Sequence, residues 1–283
     1  MDGRRNQFGE ALRWWRRRRR FSQLALAMDA GISQRHLSFL ESGRSLPSRE
    51  MILRLAETLG VPLRDRNAIF VAAGYAPRYP ERPFDSPGFE EARGMIGRIL
   101  DGHLPHPALA IDRNWNLRAA NRAVQVLLEG VAPALLSGEV NVLRLALHPN
   151  GLAPRIPNLT EWRSHSLARL RHEIEISADP KLVALREELE SLPAPPVPRR
   201  GSPSGQPSDA DGAGTARDWP IALPFQITGP FGTLSFLSTT TVFGTAVDTT
   251  LSDITIEAFL PADRWTAETM ARLVSPGGPN TRD

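Results

Sequence analysis

Side chains able to do covalent or metal chemistry are sparse in this chain, and their spacing points away from catalysis. The 283 residues include no cysteine, so disulfide frameworks, thiolate metal sites and cysteine nucleophiles are all excluded. The six histidines (36, 103, 106, 148, 165 and 172) show no HExxH spacing, and Pro105 interrupts His103 and His106 as a helical pair. Gly229-Pro-Phe-Gly232 reads as a hairpin turn, because no Lys-Ser/Thr follows to complete a phosphate-binding loop. No Ser/His/Asp set converges in sequence. The expectation is no catalytic residue, no metal and no cofactor.

The remaining chemistry is that of arginine. Residues 1–80 carry 15 arginines against 7 acids, a surplus of eight, whereas the rest carries 19 basic residues against 24 acids. A basic head on a mildly acidic body suits a polyanion. Arg13, Arg17, Arg20 and Arg44 are the candidates for contact with the phosphates of such a polyanion, contacts that position a protein without reading sequence. The run Arg16–Arg20 taken alone would be an ordinary solvated face.

These residues lie on a helical pattern that fills residues 8–75. Phe8, Ala11, Leu12 and Trp15 share one face of a first helix. Ser22 caps a second, with Leu24, Ala27 and Met28 expected inward. Gly31 supplies the turn. Ser33 caps a third helix, QRHLSFLE, with Leu37 and Leu40 inward and Gly43 closing it. Pro47-Ser48 opens a fourth, with Ile52, Leu55, Ala56 and Leu59 inside, and Val61–Ala73 forms a fifth.

The segment SQLALAMDAGISQRHLSFLESGRSLPS (22–48) resembles the Cro/repressor-type helix-turn-helix of the xenobiotic-response-element (XRE) family, over about a quarter of the chain. The resemblance implies a third helix in the major groove of a double-stranded operator. Gln34, Arg35 and Ser38 would face bases, Phe39 would meet thymine methyls, and Gln23 would touch phosphate or a flanking base. Ser33 and His36 are expected in the same DNA-contacting set, with packing along the helix edge as the alternative for His36. Glu41 would pair with Arg16 of the first helix as a structural contact. A head that reads few base pairs alone implies a homodimer.

Residues 76–88 hold four prolines and form a connector. The body, 89–273, opens with a helix near 89–101, strands at 108–112 and 115–119, and helices near 121–129, 137–147, 160–176 and 179–191. Further strands are expected at 221–228, 232–242 and 250–259, and a helix from Asp263. The stretch 193–216, rich in Pro, Gly and Ser, reads as a disordered insertion, and 274–283 as a flexible tail.

Three segments resemble the MmyB-like ligand-binding domain: AAGYAPRYPE (72–81), HPALAIDRNWNLRAANRA (106–123) and the stretch 234–273. The insertion is longer than that resemblance leads one to expect. It implies a PAS-like α/β fold, an antiparallel sheet with helices on its faces, around a cavity for a fatty-acid-like effector. Candidate lining residues are Leu109, Ile111, Leu117, Leu127, Leu143, Trp162, Leu167, Phe236, Phe243, Ile254, Ile256 and Phe259. Asn121 and Asp248 are expected to cap helices or turns. No segment is long and apolar enough for a bilayer and no signal-peptide core is present, so a cytoplasmic protein without a membrane partner is expected. Two rivals remain at this stage. One is a body that only dimerises. The other is an enzyme with a DNA-targeting head.

Overall fold

Three serines and the glycines between them set the boundaries of the N-terminal helices in the computed structural model, which describes residues 2–177, 179–193 and 222–275. Helix α1 spans Asp2–Arg18, α2 Gln23–Asp29, α3 Gln34–Glu41, α4 Arg49–Thr58 and α5 Leu63–Ala72. The hydroxyl oxygens of Ser22, Ser33 and Ser48 accept from the backbone N–H of Ala25 (3.0 Å), His36 (3.1 Å) and Met51 (3.2 Å). Each thus satisfies a donor that the first helical turn leaves open. Gly31 and Gly43 end α2 and α3 at φ of 63° and 71°, a region where a side chain costs energy.

The core of this bundle is formed by Phe8, Leu12 and Trp15 of α1 with Leu26, Leu37, Leu40, Ile52, Leu55, Ile69 and Phe70. One expectation is corrected. Leu24 and Met28 of α2 point to solvent (53% and 71% exposed), and the buried set is Leu26, Ala27 and Ala30. Both sets obey helical spacing and share Ala27. Packing of α2 on α3 and α4 selects between them.

One compact unit contains residues 1–95 together with 172–179 and 242–255. Within it the proline-rich connector is bound to α5. Asn67 Oδ1 accepts from the N–H of Arg78 and Tyr79 (2.9 Å each), and its Nδ2 donates to Tyr79 O (2.8 Å). Thr249 donates to Pro80 O through its backbone N–H (2.9 Å) and its hydroxyl (3.1 Å). Arg64 Nε on α5 donates to Asp253 Oδ2 (2.8 Å), and the same guanidinium pairs with Glu81.

The second unit contains residues 96–171, 180–241 and 256–283. Helix α6 (Glu90–Asp101) leads into strands β1 (Ala108–Ile111) and β2 (Leu117–Ala120). Helices α7 (Val124–Leu128), α8 (Val142–Leu147), α9 (Leu159–Ser177) and α10 (Pro180–Ser191) follow. Strands β3 (Phe225–Gly229), β4 (Gly232–Val242) and β5 (Thr255–Pro261) complete the sheet, with α11 (Thr249–Ser252) before β5 and α12 (Arg264–Val274) after it. The five strands lie in the order β2-β1-β5-β4-β3, a curled antiparallel sheet with helices. Pairing of Gly229 with Gly232 closes the expected hairpin. The last strand therefore lies in the middle, and Ile256, Glu257, Ala258 and Phe259 are consecutively buried, as in a strand covered on both faces.

Three local expectations change along this part of the chain. Residues 249–252 form a helical turn rather than the start of a strand, since Asp248 Oδ1 accepts from Thr250 N (2.8 Å) and Leu251 N (3.2 Å). The cap expected of Asp248 is realised, and it outweighs the strand preference of the threonines. Asn121 does not cap by its side chain. Its Nδ2 donates to Leu100 O and His106 O (2.9 Å each) and its Oδ1 accepts from Ala108 N (3.2 Å), so it clamps α6 to β1. Helices α7 and α8 are shorter than expected, with Pro133 and Gly138 in the intervening turns. Apart from Pro193, Val274 and Ser275, the stretches 193–216 and 274–283 lie outside the described residues. Among those residues no helix is long and apolar enough to cross a membrane.

Gly9 of α1 is buried where that helix meets the end of α3, and a Cβ there would stand 2.5 Å from Glu41 O. Alanine in place of an exposed helical glycine stabilises by about 1 kcal/mol. Here Gly9→Ala is expected to destabilise instead, by about 1–3 kcal/mol of overpacking. Equilibrium denaturation decides between the two signs, and a gain in stability would mean that the helices separate freely.

Candidate DNA-reading helix and effector cavity

Helix α3 buries Leu37, Leu40 and Glu41 and turns Gln34 and Arg35 to solvent, with Ser38 half-buried on the same side. Spacings of four (34 to 38) and three (35 to 38) place these three side chains on one face. Phe39 is half-buried beside two guanidinium groups, Arg35 at 5.3 Å and Arg44 at 5.9 Å from its ring centre. This cation–π arrangement narrows the positions available to both arginines. Ser33 spends its hydroxyl acceptor on the helix cap, and His36 is half-buried at the helix edge.

Beneath that face Glu41 is buried to 2% exposure and fully partnered. Arg16 of α1 approaches it with two parallel bonds, Nε to Oε1 (2.5 Å) and Nη2 to Oε2 (3.0 Å), and donates Nη1 to Phe21 O (2.9 Å). Gln23 Nε2 donates to Oε2 (2.8 Å), and Arg13 Nη2 donates to Glu41 O (3.2 Å). Burial by itself would raise the carboxyl pKa. The hydrogen bonds from Arg16 and Gln23, with the charges of Arg16 and Arg13, outweigh it and hold Glu41 below the usual carboxylate range. The expected Arg16–Glu41 pair is present, and Gln23 is turned inward to it.

The arginine run divides accordingly. Arg18 donates to Ile174 O and Ile176 O, and Arg19 donates to Leu59 O (2.9 Å) and Gly60 O (3.0 Å). Arg17, Arg20 and Arg44 are exposed, while Arg13 is only partly so.

In the second unit β1, β2, β3, β5 and α7, α8 and α9 enclose a cavity of about 80 Å³. Six of the expected lining residues are on its wall: Leu109, Leu117, Leu127, Leu143, Trp162 and Phe259. Ile111, Phe236 and Ile256 are instead fully packed core residues off the cavity. Leu167 is half-buried off the lining face of α9, and Phe243 and Ile254 belong to the other unit. Strand parity explains Ile256. Successive side chains alternate faces, so Glu257 and Phe259 share the cavity side while Ile256 takes the other.

The sequence reading missed the polar end of this cavity. Arg169 Nη2 donates to Glu257 Oε1 (2.6 Å), and the guanidinium lies 4.7 Å from the Trp115 ring centre. His165 and Ser166 complete that end. Trp162, His165, Ser166 and Arg169 recur at the 0, 3, 4, 7 spacing of one helix face, which was the available signal. Burial, and then the charge of Arg169, lower the pKa of His165 against a smaller opposing influence of Glu257, so its imidazole is neutral near pH 7.

A three-serine helical head with an exposed face on α3, and an apolar cavity in a five-stranded α/β body, define a helix-turn-helix transcription regulator with a ligand-binding domain. Residues 92–273 match the family described as MmyB-like transcription regulator ligand binding domain, and residues 7–69 match a helix-turn-helix domain. The first match spans well over half of the chain, and the protein belongs to that family. It is a DNA-binding transcription regulator. Similar solved structures include two of the clp gene regulator ClgR from Corynebacterium glutamicum. One is 30% identical over 25% of this chain and 88% of that chain, with a TM-score of 0.23. The other is 25% identical over 36% of this chain and 95% of that chain, also with a TM-score of 0.23. No curated protein matches the chain.

Removing the Glu41 carboxylate leaves Arg16 buried without its counter-ion. Glu41→Ala is expected to cost about 3–5 kcal/mol, the range for breaking a buried pair. Because the folded pKa of Glu41 is depressed, its stabilisation is present above the unfolded carboxylate pKa and is lost as pH falls through the lower folded value. Unfolding curves from pH 7 down to pH 3 should therefore show a shallower acid decline for Glu41→Ala than for the wild type. Equal declines would remove Glu41 as a source of acid sensitivity.

Proposed function

We propose that this regulator binds a palindromic operator as a homodimer and changes its DNA affinity when a lipophilic, fatty-acid-like effector enters the cavity of its PAS-like body. The observation that carries the reading is that one chain holds both an exposed polar face on α3 and an apolar cavity within its ligand-binding region. In this reading Gln34, Arg35 and Ser38 contact base edges in the major groove. Phe39 holds Arg35 and Arg44 in place and offers its ring edge to thymine methyls. Arg13, Arg17, Arg20 and Arg44 contact phosphate, which fixes register. Two-fold symmetry would place the half-sites about one helical turn apart. Gln23, already bonded to Glu41, acts on DNA only through the geometry it gives α3.

A volume of about 80 Å³ is small for an alkyl chain. An engineered apolar cavity that admits benzene measures roughly 150 Å³. Entry of a lipophile therefore moves the walls, which is how a ligand comes to bind two conformations unequally. Engagement of the Glu257 carboxylate by Arg169, with the match to a transcription-regulator family, supports a sensor over the enzyme reading.

With an operator selected from random duplexes, Gln34→Ala and Arg35→Ala should each lose about 1–3 kcal/mol of discrimination against non-specific DNA. Competition binding measures this, and equal losses on both DNAs would reduce the residues to phosphate contacts. For delipidated protein, titration with medium-chain lipophiles should shift operator affinity about five- to a hundredfold. Unchanged affinity across the series would make the body a scaffold.

A further inference from the structure

The polar end of the cavity bears on the head group of the effector, an inference that rests on the cavity being the effector site. Outside that end the wall is apolar, formed by side chains such as Leu127, Leu143, Trp162 and Phe259. At the end itself the charges cancel. Arg169 is bonded to Glu257 at 2.6 Å, and the Glu257 side chain is only 7% exposed. The imidazole of His165 is neutral. We propose that the cavity selects an amphiphile with an uncharged, hydrogen-bonding head, an alcohol or a primary amide, and discriminates against the free carboxylate.

The reason is electrostatic competition at one end of a largely apolar wall. A carboxylate reaching Arg169 would be the second anion on a single guanidinium and would face Glu257 as a like charge at short range. Glu257 has little freedom to withdraw, because it sits on β5, the strand flanked by β1 and β4. Arg169 is restrained as well, one ring face of Trp115 lying 4.7 Å from its guanidinium carbon. Trp115 is in turn fixed by its turn, with a left-handed backbone (φ 65°) and its N–H donated to Asp112 O (3.0 Å). A bulky residue rarely adopts that conformation, and it persists only where surrounding structure imposes it. The mirror argument excludes an ammonium head, which Arg169 repels. A hydroxyl or amide meets both partners. Its N–H or O–H donates to the Glu257 carboxylate, and its oxygen accepts from Arg169 without adding charge. The fatty-acid-like character of the effector then applies to its chain and not to its head.

The test uses the full-length, delipidated protein and four ten-carbon probes, 1-decanol, decanamide, decanoate and decylamine, below their aggregation limits. Binding is followed by calorimetry and by tryptophan fluorescence, since Trp115 and Trp162 line the cavity. Decanol and decanamide are expected to bind at least tenfold more tightly than decanoate or decylamine. In Glu257→Gln, decanoate should gain at least tenfold while decanol stays within threefold of its wild-type affinity. If that variant does not fold, the wild-type ranking alone decides. Tightest wild-type binding by decanoate or decylamine overturns the head-group inference and leaves the effector site standing. A folded Glu257→Gln protein in which decanoate gains nothing also overturns it. Failure of all four probes to bind overturns the effector site and the head-group inference together.

Discussion

A carboxylate removed from water must be given other partners, and in the DNA-binding unit that requirement falls on Glu41. It is the last residue of α3, its partners are Arg16 from α1 and Gln23 from the start of α2, and Arg13 bonds the backbone oxygen of the same residue. One buried charge thereby ties three helices to one another. The planar fork of arginine accepts only a narrow set of approaches to a carboxylate, so the ties are directional as well as strong. Gly9 belongs to the same constraint, because α1 can approach the backbone of Glu41 only where no Cβ intervenes. With the inner face of α3 held, its outer face is determined, and Gln34 and Arg35 are presented without a choice of helix rotation.

The same constraint gives the arginine cluster its division of labour. A run of five arginines looks uniform in sequence, yet Arg16 faces the bundle interior while Arg18 and Arg19 bind backbone carbonyls. Arg17 and Arg20 remain exposed. Positive charge in this head therefore goes partly into packing, and only part of the formal surplus is left exposed.

The body uses an arginine–glutamate pair to a different end. In the head the pair is enclosed among helices and fixes geometry. At the cavity, Arg169 and Glu257 stand at the boundary of an apolar space. That space is small, and β5, which carries Glu257 and Phe259 to its wall, is the middle strand of the sheet.

Much of the head was legible in the sequence because its rules are local. A serine cap acts three residues on, a closing glycine follows directly on the helix it ends, and helical periodicity repeats within two turns, so α3 emerges at the bounds read from QRHLSFLE. The hairpin at Gly229–Gly232, the cap at Asp248 and the helix after Asp263 were readable for the same reason. What the tertiary structure alone decided depends on partners far along the chain. Two faces of α2 satisfied the same periodicity, and packing on α3 and α4 chose between them. Asn121 resembles a cap until its three backbone partners are assembled. The cavity's polar end required β5, the last strand, to insert beside β1, which brings Glu257 to an arginine 88 residues earlier. Spacing within one element can say which residues share a face, but what that face meets is set by the order in which distant strands pair.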